Sequence, residues 1–543
     1  MDLLFAHDKG EPVLEEGLDG SSAAGEADQV EEHVGHLANL GASARDLPRQ
    51  RWAVVAPKGP EGDHLVDAAR ALIEKRARDQ EAPALTLRVA PKMDAQAAIE
   101  WKRNVYPDLY GDNEVKRPLY LCILGDMDGV SLATQQVLAI DGLPGRLVCP
   151  DDDGYESYVE KVLAWERSPS DHEQPRSIFY TVHDGTAATR SGYDKLVKPC
   201  YDLCHTEWQE ERHLFPAASI EDAGDRDDPY PDEFLDLIAQ RHPTVLFSMS
   251  HGMGPPRGRD FTPEQARERQ GAMHFGAEGA LLPRDVASAH FLPGGLWFYF
   301  ACFGAGTPTT SDYHHWLTML HQNGMEDLGP LQSVLRGLSQ NGGFTSGIAQ
   351  AALANRNGPL AIMGHVDLAW SYSYEELQVG EGGRVSGTNR ATNFREILRK
   401  MVERGNRVGM TFLELQRISS TISQGLNTHY DRCKRRGVDP EGASESERLA
   451  LGNLWMLHQD LRGYVLLGDP AAQLPLRNKD QRNKEQSMGQ KKRATTRENK
   501  KQRGKGRREL TEQEEQRYVN ILGFRPTRSR HNARADDNDD DDD

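Results

Sequence analysis

The chain has 543 residues, which allows two to four domains of ordinary size. Its formal net charge of -18 and its sequence isoelectric point of about 5.6 argue against a molecule that binds nucleic acid or a membrane surface as a whole, because such proteins usually carry a positive field. The 6 cysteines are sparse and irregularly spaced, so we expect a reducing compartment rather than a disulfide framework.

Residues 1–50 are rich in Gly, Ala and Glu, and we expect them to form a partly disordered N-terminal lead. The first residues, MDLLFAHDKG, lack the basic start and the long apolar stretch of a secretory signal. No stretch of the sequence approaches the ~18–20 consecutive apolar residues that a spanning helix requires. The sequence therefore predicts a soluble cytoplasmic protein that does not interact with membranes.

Residues 51–170 predict an N-terminal α/β subdomain. Continuous apolar runs indicate buried strands, and apolar residues at helical spacing indicate amphipathic helices. The predicted elements are strand 51–57, helix 64–79, strand 84–90, strand 118–126 and helix 155–168. Alternation of strands with helices is typical of an α/β layer fold.

Residues 171–476 predict a second α/β subdomain, which we expect to be the catalytic one. Its predicted strands are 176–183, 244–251, 295–302, 359–366 and 464–469. Continuous apolar strands separated by helical patterns imply a mainly parallel sheet covered on both faces. Functional residues of such sheets gather at the carboxyl ends of the strands.

Residues 477–543 have a different composition, with a dense run of Lys and Arg followed by the acidic block ADDNDDDDD at 535–543. So few apolar residues cannot form a core, and we expect a disordered, solvated tail. The basic run is interpreted as a linker. The alternative is that it binds a regulatory partner, an acidic molecule or nucleic acid electrostatically.

Two predicted strands of the second subdomain end in a reactive side chain. The strand TVLFSMSH ends in His251, and the strand GLWFYFAC ends in Cys302. Because the carboxyl ends of parallel strands share one edge of a sheet, we expect the imidazole and the thiol to face each other across a cleft.

A thiol and an imidazole in this arrangement are typical of a cysteine peptidase. The thiolate is the nucleophile and needs a base to form near neutral pH, and the imidazole later protonates the leaving amine. Backbone N–H groups of Gly252 and Cys302 are candidates for an oxyanion hole, and Gly252, Gly304 and Gly306 would leave room for substrate backbone. Either Cys302 or His251 alone would be interpreted as structural. Their occurrence together at strand ends favours catalysis.

Five segments in order along the chain resemble a known group of enzymes. They are YLCILGD (120–126), SMSHGMG (248–254), FYFACFGAG (298–306), AIMGHVDLAWSYS (361–373) and YVLLGDPAAQLPL (464–476). They resemble the motifs of clan CD cysteine peptidases, which include caspases, separase, clostripain, CHAT-domain proteases and gingipains, and the gingipains most of all. The resemblance runs from about residue 51 to 476.

The resemblance implies a caspase/gingipain-like fold with mainly parallel sheets flanked by helices and a cysteine endopeptidase activity on protein or peptide substrates. It also implies that Asp184 lies near His251, that Asp194 lines the S1 pocket and that Trp370 flanks the same pocket. A carboxylate beside an aromatic wall would favour a cationic side chain, so cleavage after Arg or Lys is expected. The alternatives are a helix-cap or surface carboxylate for Asp194 and a core tryptophan for Trp370.

No cofactor and no metal is expected. Cys200, Cys204 and His205 invite comparison with a zinc site, but their spacing is not that of a standard ligand pair and no second pair follows. The remaining functional alternative is a catalytically silent clan CD relative that acts as a scaffold. The presence of both Cys302 and His251 argues against it.

Overall fold

A computed structural model describes residues 5–6, 11–12, 43–104, 117–223, 230–255, 260–322, 329–379, 385–437 and 445–477. Within the predicted lead, Phe5–Ala6 and Glu11–Pro12 pair as a short antiparallel ribbon. The rest of the lead before residue 43 and the predicted tail from residue 478 lie outside the described residues.

The fold is built on one ten-stranded sheet. Its strands are β1 (Trp52–Pro57), β2 (Leu85–Val89), β3 (Tyr120–Leu124), β4 (Leu143–Leu147), β5 (Arg176–Thr181), β6 (Ser219–Asp222), β7 (Thr244–Met249), β8 (Leu296–Phe300), β9 (Ala361–His365) and β10 (Tyr464–Gly468). They are ordered β2-β1-β3-β4-β10-β9-β8-β7-β5-β6. Most positions in these strands are buried, as continuous apolar strands of a covered sheet require.

Eight of the nine strand pairings are parallel, and the pairing of β9 with β10 is antiparallel. The sheet therefore consists of two parallel blocks that run in opposite directions and meet at this seam. The predicted α/β class, with a mainly parallel sheet flanked by helices, is confirmed. β10 follows residue 170 in the chain and pairs with β4, which precedes it, so strands on both sides of residue 170 share one sheet. The division into subdomains near that residue stays a prediction.

The helices connect the strands and cover the sheet. They are α1 (Leu47–Gln50), α2 (Pro60–Ala68), α3 (Arg70–Asp79), α4 (Ala95–Asn104), α5 (Leu132–Leu138), α6 (Asp152–Arg167), α7 (Ala187–Gly192), α8 (Lys198–Glu210), α9 (Pro231–Ile238), α10 (Pro263–Arg269), α11 (Pro283–Ser288), α12 (Tyr313–Gln322), α13 (Gly329–Asn341), α14 (Gly347–Ala354), α15 (Ala391–Val402), α16 (Gly409–Arg436) and α17 (Glu445–Arg462). Among these described helices, none combines the length and apolar character needed to cross a bilayer.

Shorter elements complete the fold. A π-helical turn, Tyr193–Val197, joins α7 to α8, and 3-10 turns lie at Gly276–Glu278 and Ser371–Ser373. The small strands are His251–Gly252 with Met273–His274 and Ala280–Leu281, Gly306–Thr307 with Phe344–Thr345, and Glu375–Val379 with Val385–Asn389.

Two elements differ from the sequence prediction. The helix predicted at 64–79 is two helices, α2 and α3, which meet at Ala69. Strand β4 was not predicted, because its sequence LPGRL contains Pro144 and Gly145, residues that usually interrupt strands. A Cβ at Gly145 would lie 2.5 Å from the Gly468 carbonyl oxygen, so glycine permits the close approach of β4 to β10.

Candidate active site

The candidate residues follow neighbouring parallel strands of the second block. Met249 at the end of β7 pairs in register with Phe300 at the end of β8, and His251 and Cys302 each lie two residues further on. Asp184 follows β5, the neighbour of β7 on its other side, and Trp370 follows β9, the neighbour of β8. The parallel topology thus brings the four residues to one edge of the sheet.

The backbone after β7 contacts the backbone at Cys302. A Cβ added at Gly252 would lie 1.8 Å from the Cys302 carbonyl oxygen, and one at Gly271, whose φ is +79°, would lie 2.0 Å from the Phe303 carbonyl oxygen. The sequence analysis expected Gly252 to leave room for substrate. In the structure the turn at Cys302 occupies that room, so glycine here permits the approach of the two loops.

The turn after β8 places the thiol at the end of the strand. Phe303 has a φ of +58°, a conformation that costs energy in a residue with a side chain. Its N–H donates to the Asp367 carbonyl oxygen at 2.9 Å, and the Gly304 N–H donates back to the Ala301 carbonyl oxygen at 3.2 Å. The first hydrogen bond joins the turn to the segment after β9, and the second closes the turn on itself.

A chain of hydrogen bonds orients His251. The Thr186 hydroxyl donates to Asp184 Oδ1 at 2.8 Å and lies 3.0 Å from His251 Nε2. We infer that the single hydroxyl hydrogen of Thr186 is directed to the Asp184 carboxylate, so that Nε2 is the protonated nitrogen and donates to Thr186. We infer that Nδ1, which has no hydrogen-bond partner in the described part of the chain, carries the free lone pair and is the basic atom.

Asp184 is held as a carboxylate at the end of this chain of hydrogen bonds. Burial opposes its ionisation, but hydrogen bonds from Thr189 and Thr186 and the nearby His251 imidazole outweigh burial and lower its pKa. Its side chain is 3% exposed and that of His251 is 42% exposed, and Asp184 Oδ2 lies 3.5 Å from His251 Nε2. The carboxylate therefore stabilises an imidazolium while the ring stays open to solvent.

Cys302 differs from the other cysteines. It is half-buried, whereas the five others are buried. Its thiol donates weakly to the Ala369 carbonyl oxygen at 3.8 Å, and no hydrogen bond joins it to His251 among the described residues. Burial raises the pKa of Cys302 to about 11, so the resting side chain is a neutral thiol at neutral pH.

Aromatic side chains line the region next to Cys302. Trp370 is half-buried and packs with Tyr313 and Trp316 at ring centroid distances of 5.7 and 6.3 Å. Cys302 and Tyr372 pack against the same apolar cluster. Cys302 and Trp370 thus pack against one apolar cluster, and the place of Trp370 beside an S1 pocket stays a prediction.

Sequence analysis missed the residue that supports this wall. Asp460 of α17 is fully buried and accepts hydrogen bonds from the N–H groups of Trp370 at 2.9 Å and Ser373 at 2.8 Å. Its Oδ1 lies 3.4 Å from Nε2 of the buried His365. Burial opposes protonation of His365, but Asp460 outweighs it and raises the pKa of His365. An aspartate within a helical pattern carries no sequence signal for this role.

Asp194 lies in the π-helical turn between α7 and α8 and is exposed, not at the base of a buried pocket. The next residue, Lys195, pairs with Glu375 at 2.8 Å, so this turn lies beside the segment that follows Trp370. The turn that holds Asp194 thus adjoins the strand Glu375–Val379, which begins five residues after Trp370, and the carboxylate is solvated.

The residues weighed as a zinc site have other surroundings. Cys200 and Cys204 are buried in α8, and the Cys200 thiol donates to the Ala391 carbonyl oxygen at 3.3 Å. His205 stacks on Tyr201 with ring centroids 5.2 Å apart. Among the described residues, no group of three or more His, Cys, Asp or Glu is arranged to hold a metal ion.

Comparison with known proteins gives few matches. No protein-family model matches the chain, and no curated protein matches it by sequence. A solved structure described as "Structure of Protease" is similar over 80% of this chain and 79% of that chain, with a TM-score of 0.44 and 13% sequence identity. A likeness at this level does not identify a function.

Proposed function

We propose that the protein is a cysteine endopeptidase in which Cys302 is the nucleophile and His251 is the general base and acid. The observation that carries the proposal is the register of two adjacent parallel strands. Met249 pairs with Phe300, and His251 and Cys302 each lie two residues beyond this pair. The contact of Gly252 with the Cys302 backbone supports it, because it keeps the two loops together.

In the proposed reaction, His251 Nδ1 removes the thiol proton as Cys302 Sγ attacks the substrate carbonyl carbon. The resulting imidazolium donates this proton to the leaving amine, and an acyl-enzyme remains. Asp184, through Thr186 and by its charge, stabilises the imidazolium. Water then attacks the acyl-enzyme with His251 again as base, and the thiol is restored. The N–H groups of Gly252 and Cys302 are the proposed oxyanion donors.

The resting thiol must change its surroundings before it reacts. Its raised pKa and its contact with the Ala369 carbonyl oxygen describe an inactive rotamer. We propose that rotation about the Cys302 side-chain bond turns the thiol away from Ala369 and toward the imidazole, since hydrogen bonds of resting enzymes often tighten only when substrate binds. We propose that substrate binding stabilises the productive rotamer.

The proposed specificity is for Arg or Lys at P1, with Trp370 as the wall of the S1 pocket and Asp194 as the carboxylate. The long side chain would pack on the indole, and its cationic end would approach the carboxylate. Because Asp194 is exposed, we expect it to contribute a modest preference rather than an absolute one.

The test uses fluorogenic peptides that differ only at P1, carrying Arg, Lys, Leu or Asp. Wild-type protein should cleave the Arg and Lys peptides, and Cys302→Ala should cleave none. Cys433→Ala is a matched control, because Cys433 is a buried cysteine on α16 and has no role in the proposed site. Residual activity in Cys302→Ala above about a tenth of wild type would reject the assignment. A preference for Asp at P1 would indicate a caspase-type pocket.

One observation favours a second candidate function, that of a catalytically silent scaffold. The protonated thiol has no hydrogen bond to His251 in the described part of the chain. A catalytically inactive relative would show the same arrangement. The same peptide panel distinguishes the two, since a scaffold cleaves no peptide while its fold is intact.

A further inference from the structure

A cavity separate from the candidate active site is lined mainly by cationic side chains. It has a volume of about 360 Å³ and lies beside the end of α6. Its lining residues are Lys161, Ala164, Trp165, Arg167, Ser168, Arg241 and Arg356. None of these is acidic, and none takes part in the proposed peptidase reaction.

Lys161 is a buried ammonium group with no carboxylate partner among the described residues. It is 4% exposed, and its Nζ donates to the carbonyl oxygens of Leu353 at 2.6 Å and Asn355 at 2.8 Å. An ammonium has three N–H groups, so one remains without a nitrogen or oxygen acceptor in the described part of the chain, and the centroid of the Tyr158 ring lies 5.2 Å from Nζ. Burial lowers the pKa of Lys161 to about 7. A buried cation without a counter-ion is costly, and a bound anion would offset that cost.

The three arginines at this cavity add positive charge, and only one of them pairs with a carboxylate among the described residues. Arg241 lies over the Trp165 ring, with its guanidinium carbon 5.6 Å from the ring centroid. Arg356 pairs with Glu160 at 2.9 Å, with both side chains mostly exposed. Among the described residues, neither Arg241 nor Arg167 forms an ion pair. Like charges in one concave site repel each other unless an anion lies between them.

We propose that this cavity binds a phosphate-type polyanion. Guanidinium groups match the oxygens of phosphate in paired hydrogen bonds, and three of them on the rim can engage more than one phosphoryl group. Lys161 at the floor would supply its remaining N–H and become fully protonated. Arg167 and Arg241 have no ion-pair partner among the described residues, and Lys161 gains charge when an anion binds, so the ligand should carry two or more negative charges.

The coupling to protonation gives the proposal a specific signature. Lys161 is partly neutral near pH 7 when the cavity is empty, and an anion beside it should raise its pKa, so binding should take up a proton. Other titratable or charged groups also face Lys161. In the core these are Cys149 and Tyr158. At the cavity they are Arg167, Arg241 and Arg356, and Glu160 lies next to Arg356. The arginines are charged at every pH near neutrality, and burial raises the pKa values of Cys149 and Tyr158 further above neutrality. Lys161 is thus the group expected to titrate.

The experiment is calorimetric titration of the full chain with inorganic pyrophosphate near pH 7.5, repeated in two buffers of different ionisation enthalpy. We expect one binding site and a heat that differs between the buffers in the direction of proton uptake. Pyrophosphate also loses a proton in this range, so the Lys161 contribution is read from the ratio of wild-type affinity to Lys161→Met affinity. That ratio should fall as the pH is raised through 8 and 9, since neutral Lys161 no longer attracts the anion. Absence of binding at millimolar pyrophosphate would overturn the proposal.

Variants locate the site. Arg241→Gln with Arg356→Gln should weaken pyrophosphate binding at least tenfold. Arg417→Gln is the matched control, because Arg417 on α16 is exposed to the same extent as Arg356, 68% against 67%, and also has one glutamate partner. Equal affinity in the double variant and the control would overturn the proposal.

Pyrophosphate exchanges protons of its own near this pH, so the uptake that belongs to Lys161 is the difference between wild type and Lys161→Met. Lys161→Met should take up fewer protons than wild type. If this variant does not fold, the double variant still decides the location of the site. Equal proton uptake in wild type and folded Lys161→Met would contradict the role of Lys161.

Discussion

The two parallel blocks of the sheet use charged groups in opposite ways. In the block formed by β2, β1, β3, β4 and β10, Asp469 follows β10 and is fully buried, paired with the buried Arg76 of α3 at 2.7 Å. In the block formed by β9, β8, β7, β5 and β6, His251 follows β7 and is 42% exposed. A paired charge sealed in the core holds the fold together, whereas an imidazole open to solvent can exchange protons with a substrate.

The buried centre of the first block is fully satisfied. Asp469 also accepts from the Trp52 indole N–H at 2.9 Å, and Arg76 also pairs with Glu166 at 2.6 Å. Burial opposes the charge on Arg76, but Asp469 and Glu166 outweigh it and raise its pKa. At the open edge of the second block, in contrast, Nδ1 of His251 has no partner among the described residues. The comparison predicts large effects on stability in one block and on activity in the other.

The largest expected effect is on activity. Cys302→Ala should lower peptidase kcat/KM at least 10⁴-fold, which corresponds to about 5.5 kcal/mol of transition-state stabilisation. Loss of one sulfur atom should change the free energy of unfolding by only about 1 kcal/mol. Fluorogenic peptide hydrolysis and urea unfolding measure the two quantities. An unfolded variant would contradict the expectation that Cys302 determines activity and contributes little to stability.

The next effect is on stability. Asp469→Asn should lower the free energy of unfolding by about 3 kcal/mol, because it leaves Arg76 as a buried cation with one fewer carboxylate. Urea unfolding measures the loss. Peptidase activity per folded molecule should be unchanged under conditions where the variant is folded. A selective loss of activity without a loss of stability would show that the two blocks are not separate in function.

The pH dependence of thiol labelling tests whether the resting site is inactive. With the pKa of Cys302 raised to about 11 by burial, the thiolate fraction should increase about tenfold per pH unit below that value. Alkylation of Cys302 by a small reagent should therefore accelerate about 100-fold between pH 8 and pH 10. Mass spectrometry of Cys302 follows the rate. A plateau near pH 7 would show that His251 already forms an ion pair with the thiolate in the free protein.

Thr186 tests the orientation of the imidazole. Thr186→Val keeps the shape of the side chain but removes the hydroxyl between Asp184 and His251. The tautomer with its hydrogen on Nδ1 then becomes accessible, and kcat should fall about tenfold. The change also removes the N-cap of α7, which should cost about 1 kcal/mol of stability. Thr186→Ser is the control and should restore both kcat and stability. A serine variant as impaired as the valine variant would assign the effect to packing instead.

The smallest expected effect concerns specificity. Asp194→Asn should lower kcat/KM for Arg and Lys peptides about fivefold, or about 1 kcal/mol, because an exposed ion pair contributes little. The rate of Cys302 labelling should be unchanged. Peptide hydrolysis with Arg, Lys and Leu at P1 measures the change. Full retention of the preference for Arg and Lys would exclude Asp194 as a specificity residue.

The sequence allowed the α/β class and the placement of His251 and Cys302 at strand ends to be predicted. Both follow from rules that act locally, since continuous apolar runs mark buried strands and a parallel strand carries its next residues to a known edge. The antiparallel seam between β9 and β10 could not be predicted, because a five-residue apolar strand has the same sequence pattern in either direction.

Other features depend on contacts between distant segments. Strand β4 forms across Pro144 and Gly145 because β10 lies close beside it, which no local pattern indicates. Thr186 and Asp460 act through hydrogen bonds to residues 65 and 90 positions away, respectively. Whether Asp194 lines the S1 pocket stays a prediction.

The most direct test of the proposed peptidase is trapping with a peptidyl electrophile that carries Arg at P1, followed by peptide mapping. Wild-type protein should gain one adduct, on Cys302, and an excess of Arg peptide substrate should slow its formation. His251→Ala should form the adduct far more slowly, and Cys433→Ala should match wild type. An adduct on another cysteine, or equal labelling of wild type and His251→Ala, would contradict the assignment of Cys302 and His251 as a catalytic pair.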